Sequence, residues 1–231
     1  MPGRLALLVL LAALCLPAEG RAAPVALFGS AELPADPGFA VPEWHRVQRG
    51  IAAEEPVYDA CSRGVGCPSA SVREWLALLG RLEAAVPLEQ LRAVNGFLNR
   101  FPYRSDLANY GRRDYWATPL EFLARSGDCE DYAIAKYVSL RRLGVPPGRL
   151  RITVVQDRDR DTPHAILLAE VAGTWYVLDN LSERVEPQER IGHYVPYYSL
   201  NEDGFWAHAL PPDLLARQER TAATASTGQR D

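Results

Sequence analysis

From Ser71 onward the apolar residues recur every three or four positions. Trp75, Leu78, Leu79 and Leu82 fall on one face of a helix expected from Ser71 to about Ala85, with Ser71 and Glu74 spaced as a capping box. Pro87 suits the first position of a second helix, in which Leu88, Leu91, Val94, Leu98 and Phe101 form the apolar stripe. The period then fails. Phe101 to Trp116 is a loop dense in Tyr, Arg and Asp. Thr118-Pro119-Leu120-Glu121 restores it as another capping box, opening a short helix to about Arg125. Ser126 and Gly127 turn the chain into a third long helix that begins near Cys129 and is stopped by Gly144 and Pro146. After that the residues become β-branched. Leu150 to Gln156 reads as a strand, and His164–Val171 and Trp175–Asn180 read as a hairpin around Ala172-Gly173. With a two-residue turn, Val171 faces Thr174 and Ile166 faces Asp179. His164 and Asp179 then share a face two positions apart, within reach of long side chains.

This pattern predicts an α+β chain, a helical N-terminal part packed on an antiparallel sheet. Before Ser71 it is weaker. Residues 24–60 are rich in Pro and Gly and show no sustained period, which predicts an extended arm with one short strand at Val25 to Phe28. At the other end, Thr221 to Asp231 is rich in Ala, Thr, Ser and Gly and is expected to be disordered. The expected organisation is a leader over 1–22, an arm over 23–60, one domain over 61–215 and a tail over 216–231.

The leader sets the compartment. Arg4 precedes an apolar run from Leu5 to Leu16, Pro17 breaks it, and small residues follow, with cleavage open after Gly20 or Ala22. This is the form of a secretory signal peptide and is short for a membrane span. Cys15 follows the bulky Leu14, which disfavours lipidation. The expected mature protein is periplasmic, about 210 residues long, not itself membrane-spanning, and large enough for one well-filled core. The net charge of −4 and the lack of a basic block exclude nucleic acid as an expected partner.

Export also bears on the cysteines. Without Cys15, the chain keeps Cys61, Cys67 and Cys129. In an oxidising compartment Cys61 and Cys67 are the natural pair, closing a short loop; two free thiols are the alternative. Cys129 is left over, and an unpaired cysteine in an exported protein is either reactive or buried. It sits in the first turn of its helix, where the dipole favours a thiolate. Yet Asp128, Glu130 and Asp131 surround it, and like charge raises a thiol pKa. A hard, oxygen-preferring cation such as calcium would neutralise them; simple helix capping is the plainer reading. A helix cysteine, His164 at a strand start and Asp179 on the same face make a possible Cys–His–Asp constellation. The Cys129 main-chain N–H is the obvious oxyanion donor, with the Trp116 indole as a weak second. His45, His193 and His208 find no comparable place.

The local words Asp114-Tyr115-Trp116-Ala117-Thr118-Pro119, Gly127-Asp128-Cys129-Glu130-Asp131-Tyr132-Ala133, His164-Ala165-Ile166-Leu167 and Val177-Leu178-Asp179-Asn180-Leu181 carry a specific resemblance. They resemble the bacterial transglutaminase-like cysteine proteinases, in particular the LapG-type branch, over roughly Cys61 to Trp206. That resemblance implies a papain-like or transglutaminase-like core with Cys129, His164 and Asp179 as catalytic residues. It implies Ca2+ as cofactor, with Asp128 and Glu130 matching the family's calcium-binding acids and Asp131 a further candidate ligand. It implies a large surface adhesin as substrate, cut near its N-terminus at a dialanine-type site to release a biofilm cell. It also implies control by an inner-membrane receptor for cyclic di-GMP. An acyl transferase or amidase on the same triad, and a non-catalytic calcium-binding docking module, are the competing expectations.

Overall fold

The computed structural model describes residues 25–35 and 42–210. The leader and the tail from 216 lie outside the described residues, and so do the expectations placed on them. Among the described residues six α-helices lie between two groups of strands: α1 (Pro42–Ser62), α2 (Ala70–Leu82), α3 (Pro87–Leu98), α4 (Asp106–Tyr110), α5 (Pro119–Arg125) and α6 (Cys129–Arg142). Two strands precede them, β1 (Ala26–Leu27) and β2 (Ser30–Pro34). Six follow: β3 (Leu150–Asp157), β4 (Thr162–Val171), β5 (Thr174–Leu178), β6 (Glu186–Pro187), β7 (Tyr194–Leu200) and β8 (Phe205–Ala209). All eight form one antiparallel sheet in the order β1-β2-β8-β7-β3-β4-β5-β6. The α+β expectation holds.

The arm is the main correction. Residues 42–62 are a helix, not extended chain, despite Pro56 inside it. Proline removes one ladder hydrogen bond and costs about 3 kcal/mol in a helix interior. Burial offsets this: Trp44, Val47, Tyr58 and Cys61 all point into the core, and each large side chain buried contributes about 1.5–3 kcal/mol. Gly50 lets α1 approach the start of α5, since a Cβ there would meet Thr118 Cγ2 at 2.6 Å. Glu54, one turn on, accepts hydrogen bonds from the Tyr58 and Thr118 hydroxyls and from the Leu120 N–H. The helix that looked least regular in sequence thus braces the segment leading to Cys129. The expected short strand within Val25 to Phe28 is present as β1, which pairs with β2 in a small hairpin at the sheet edge.

Elsewhere the helix starts follow their caps. Thr118 and Glu121 form the expected capping box, with Pro119 first in α5. Pro87 opens α3. In α2 the cap is Ser69, whose hydroxyl accepts from Val72 N–H at 3.2 Å, so the helix starts one residue earlier than Ser71 and Glu74 suggested. Ser69 is the first hydroxyl after Pro68 and takes the role the Ser71–Glu74 spacing mimics.

Helix α6 is central. Every residue from Asp131 to Leu140 is buried, because α3 and α5 pack beside it and β4 lies beneath it. Strand β4 is covered on both faces. Leu167 and Ala169 join the main core with α6, while Ile166 and Leu168 join a second cluster with Val155, Trp175, Val177 and Tyr194. Cys61 and Cys67 form a disulfide that ties off the end of α1. Among the described residues, no helix is long and apolar enough to cross a membrane.

Candidate active site

The nucleophile candidate stands where two supports meet. The segment before α6 is held by Tyr103, which bridges to Gly127, and by the Arg104 N–H, which donates to Gly127 O at 2.8 Å. Asp128 is the N-cap of α6 and Cys129 its first residue. Asp131 folds back so that its Oδ2 accepts the Asp128 N–H at 3.2 Å, and its Oδ1 accepts the Ala117 N–H at 2.5 Å. Gly127 is obligatory beside it, because a Cβ there would lie 2.0 Å from Asp131 Oδ2. Cys129 is the free cysteine of the described chain and is half-buried.

The β4–β5 hairpin delivers the other two groups. Ala172 and Gly173 both have positive φ, 52° and 84°, as a two-residue type I′ turn requires. The register is the expected one, from Val171 opposite Thr174 to Leu167 opposite Leu178. One step past β5, Asp179 Oδ1 lies 2.8 Å from His164 Nε2. Nδ1 is therefore the imidazole nitrogen left for a thiol. Asp179 is fully supported. Its Oδ1 also accepts the Leu181 N–H at 2.9 Å, and its Oδ2 accepts the Tyr194 hydroxyl at 2.6 Å. Burial alone would push this carboxyl up; the hydrogen bonds and the His164 charge outweigh it and hold it below the ordinary range. The main-chain N–H of Ala165, next to His164, supports negative charge on the Cys129 sulfur, which brings the helix and the hairpin together at this point.

The acids around Cys129 have the opposite character. The thiol donates to Glu130 Oε2 at 3.1 Å. Burial first, then the Glu130 charge, pushes the thiol far above its usual range. Burial and neighbouring charge also raise Asp128 to about 7, Asp106 to about 6 and Asp131 to about 9. Ligand oxygens of Asp106, Asp128 and Asp131 lie within 4.8 Å of one another, as do those of Asp106, Asp114 and Glu130. Asp106 and Asp114 were not singled out as ligands in the sequence. Both lie in the Tyr- and Arg-dense stretch expected to be loop; in the structure Asp106 opens the short helix α4 and Asp114 follows it, and the visible signal was only a concentration of acids. Asp106 reaches the site because its N–H donates to Asp128 Oδ2 at 3.3 Å, while its own Oδ2 accepts the Tyr115 N–H at 2.5 Å.

This set fits a hard cation. Asp106 Oδ1 and Asp128 Oδ1 are buried without a hydrogen-bond partner among the described residues. Every donor in the group is a carboxylate oxygen, the ligand type calcium takes. Of the three ligands expected from sequence, Asp128 keeps an unpartnered oxygen and Glu130 places an oxygen beside those of Asp106 and Asp114, while both oxygens of Asp131 already hold N–H groups. Burial pushes the Asp114 carboxyl pKa up, and the Trp116 indole near it acts to lower it. Tyr194 was also missed; nothing local in Tyr194-Val195-Pro196 marks it. His208 sits between the Ser30 and Ser199 hydroxyls, at 2.7 Å from each, and serves the sheet edge.

Comparison with known proteins places the chain in a family. Residues 81–211 match the family model of bacterial transglutaminase-like cysteine proteinases (BTLCP). The calcium-bound structure of Legionella pneumophila LapG is similar at 30% identity and a TM-score of 0.58, over 65% of this chain and 85% of that one. Two further structures of the same Legionella pneumophila protein, one of them EGTA-treated, are similar at 29% identity and a TM-score of 0.55, each over 71% of this chain. The first covers 86% of its own chain and the EGTA-treated one 84%. No curated protein is significantly similar in sequence.

Proposed function

Because the chain belongs to the bacterial transglutaminase-like cysteine proteinase family, and so is a cysteine peptidase, we propose that it is an exported, calcium-dependent endopeptidase whose triad is Cys129, His164 and Asp179. The observation that carries the triad is the 2.8 Å contact between His164 Nε2 and Asp179 Oδ1, beside the helix start that presents Cys129. In this reading Asp179 holds one imidazole tautomer and supports the imidazolium. His164 takes the thiol proton through Nδ1. The sulfur attacks the scissile carbonyl carbon, and the resulting oxyanion is met by the Cys129 main-chain N–H at the start of α6. His164 returns the proton to the leaving amine, leaving a thioester. It then takes a proton from water, whose oxygen displaces the sulfur and releases the new carboxylate.

The acids define the cofactor. Asp106, Asp114, Asp128 and Glu130 would hold calcium, and Asp131 would keep the helix start fixed behind them. Calcium held there would supply the positive charge that these carboxylates lack, and Glu130 would then be a ligand rather than the acceptor of the Cys129 thiol. The calcium-bound form of the Legionella pneumophila relative supports this assignment.

Family membership and the leader support the following reading of substrate and setting. The protein is periplasmic, cuts the N-terminal region of a large surface adhesin to release it during biofilm dispersal, and answers to an inner-membrane receptor for cyclic di-GMP. The test is cleavage of a candidate adhesin N-terminal fragment by the mature protein, with calcium and with EGTA. Calcium-dependent cutting that disappears in Cys129→Ala supports the proposal. Cutting retained in that variant removes the nucleophile assignment, and a folded protein that cuts under neither condition removes the substrate.

A further inference from the structure

The chain carries 25 basic Lys and Arg residues, and all but one are arginine. The exception, Lys136, is wholly buried. A soluble protein ordinarily uses lysine on its surface, where the hydrated ammonium is comfortable. Here the surface cations are arginines and the only lysine is in the core. It lies on α6 seven residues after Cys129, two turns along the same face. Its Nζ has no hydrogen-bond partner among the described residues. An ammonium placed this way costs several kcal/mol relative to an apolar side chain of the same length. Stability does not explain its presence.

Its surroundings suggest what does. The charged groups that bear on Lys136 are Asp179 and Glu183, both on the segment leaving β5. Its own helix adds the Tyr132 ring, with centroid 5.8 Å from Nζ. The same segment is gripped from α3 and the residue after it. Asn99 Nδ2 donates to Asp179 O at 2.8 Å and to Ser182 O at 3.0 Å, and Asn95 Nδ2 donates to Ser182 O at 2.9 Å. The Oδ1 atoms of Asn95, Asn99 and Asn180 are also buried without partners among the described residues. The turn that carries Asp179 is therefore held by amides from α3 and faced by one positive charge from α6.

We propose that Lys136 is a positioning residue: its buried ammonium is the counter-charge of the Asp179–Glu183 segment, keeping the Asp179 carboxylate ionised and aimed at His164. This rests on the triad reading above. Burial pulls the ammonium down to about 7, while Asp179 and Glu183 act to retain it, so the charge is complete in mildly acidic solution and about half present at neutral pH. Arginine would not serve, because its broad planar head needs room and several acceptors.

Two measurements, neither needing the natural substrate, test the proposal. The first is lysine-labelled NMR of the intact mature protein, in which the only lysine gives one side-chain signal to titrate. The signal is expected to be that of an ammonium at pH 6, with its midpoint about one unit lower in Asp179→Asn. A neutral amine at pH 6, or a midpoint that ignores Asp179→Asn, overturns the proposal. The second is the pH profile of Cys129 alkylation by iodoacetamide, with calcium present. Lys136→Met is expected to keep or raise Tm while lowering the alkylation rate near pH 7 about tenfold. A folded Lys136→Met protein whose profile superimposes on the wild type overturns it. If that variant does not fold, the NMR titration decides. Failure of the triad itself looks different: alkylation in His164→Ala would match the wild type, whatever Lys136 does.

Discussion

The two groups of carboxylates in this site obey opposite rules. Asp179, on the sheet side, is met at both oxygens by His164, Tyr194 and the Leu181 N–H, and its acidity is strengthened. The acids around the start of α6 crowd one another, keep buried oxygens unpartnered, and hold their protons up to about pH 6 at Asp106 and about 7 at Asp128. The difference shows which part the protein completes alone. The imidazole–carboxylate pair is finished by the fold. The helix start is left short of positive charge, and Cys129, the proposed nucleophile, stands between the two.

The largest expected effect breaks the sheet side alone. His164→Ala should lower kcat/KM about 10²- to 10⁴-fold, with calcium affinity by calorimetry unchanged; a shared loss of both would mean that the two regions are not separate. Next, Asp106→Asn or Asp128→Asn should weaken calcium binding at least tenfold, the lower bound for losing even an outer-sphere partner. The same variants should raise Tm in EGTA, since each removes like-charge repulsion. Calorimetry and thermal unfolding of the same preparations check both directions.

A pH series contrasts the regions in one molecule. In EGTA, Asp106 and Asp128 bind protons more tightly folded than unfolded. Their contribution to stability is present below about pH 4, the unfolded value, and is lost as pH rises through about 6 and 7. Asp179 runs the other way. Its contribution is complete above the unfolded carboxylate value and is lost as pH falls through its lower folded value. Tm in EGTA should therefore decline from pH 5 to 8, and calcium should flatten that decline. A flat profile in EGTA would contradict the crowding of the acids. Smaller still, Tyr194→Phe removes one hydrogen bond to a charged carboxylate, worth about 1.5–3 kcal/mol, and should lower kcat/KM about tenfold without touching calcium affinity. Ser69→Ala belongs to neither region. It should cost about 1 kcal/mol of stability by urea unfolding and leave activity intact.

What the sequence made legible follows the same division. The α5 capping box, the α6 start and the β4–β5 register are local, each set by residues within a few positions, and each appears as expected. Cys129, His164 and Asp179 could be named because a helix start and a two-residue turn fix where they point. Asp106, Asp114 and Tyr194 could not. They join the site through a folded-back loop and a strand two places away in the sheet, and no spacing in the chain announces either. Helix α1 was hidden for another reason: Pro56 and Gly50 read as breakers, whereas tertiary burial of Trp44, Val47 and Tyr58 overrides them.

One edge of the sheet sets the order in which this molecule can be completed. Strand β2 pairs with β8, the last described strand. Glu32 of β2 buries its carboxylate against the Arg151 guanidinium, with Oε1 at 2.9 Å, and Trp206 of β8 stacks over that guanidinium at 3.9 Å. No partial chain can satisfy all three. As the polypeptide emerges from its N-terminus, β2 must wait for β8, the last strand among the described residues, and Arg151 has no full complement until both arrive. The native sheet is thus a whole-chain product of high contact order, closed only after the elements that carry Cys129, His164 and Asp179 have been made.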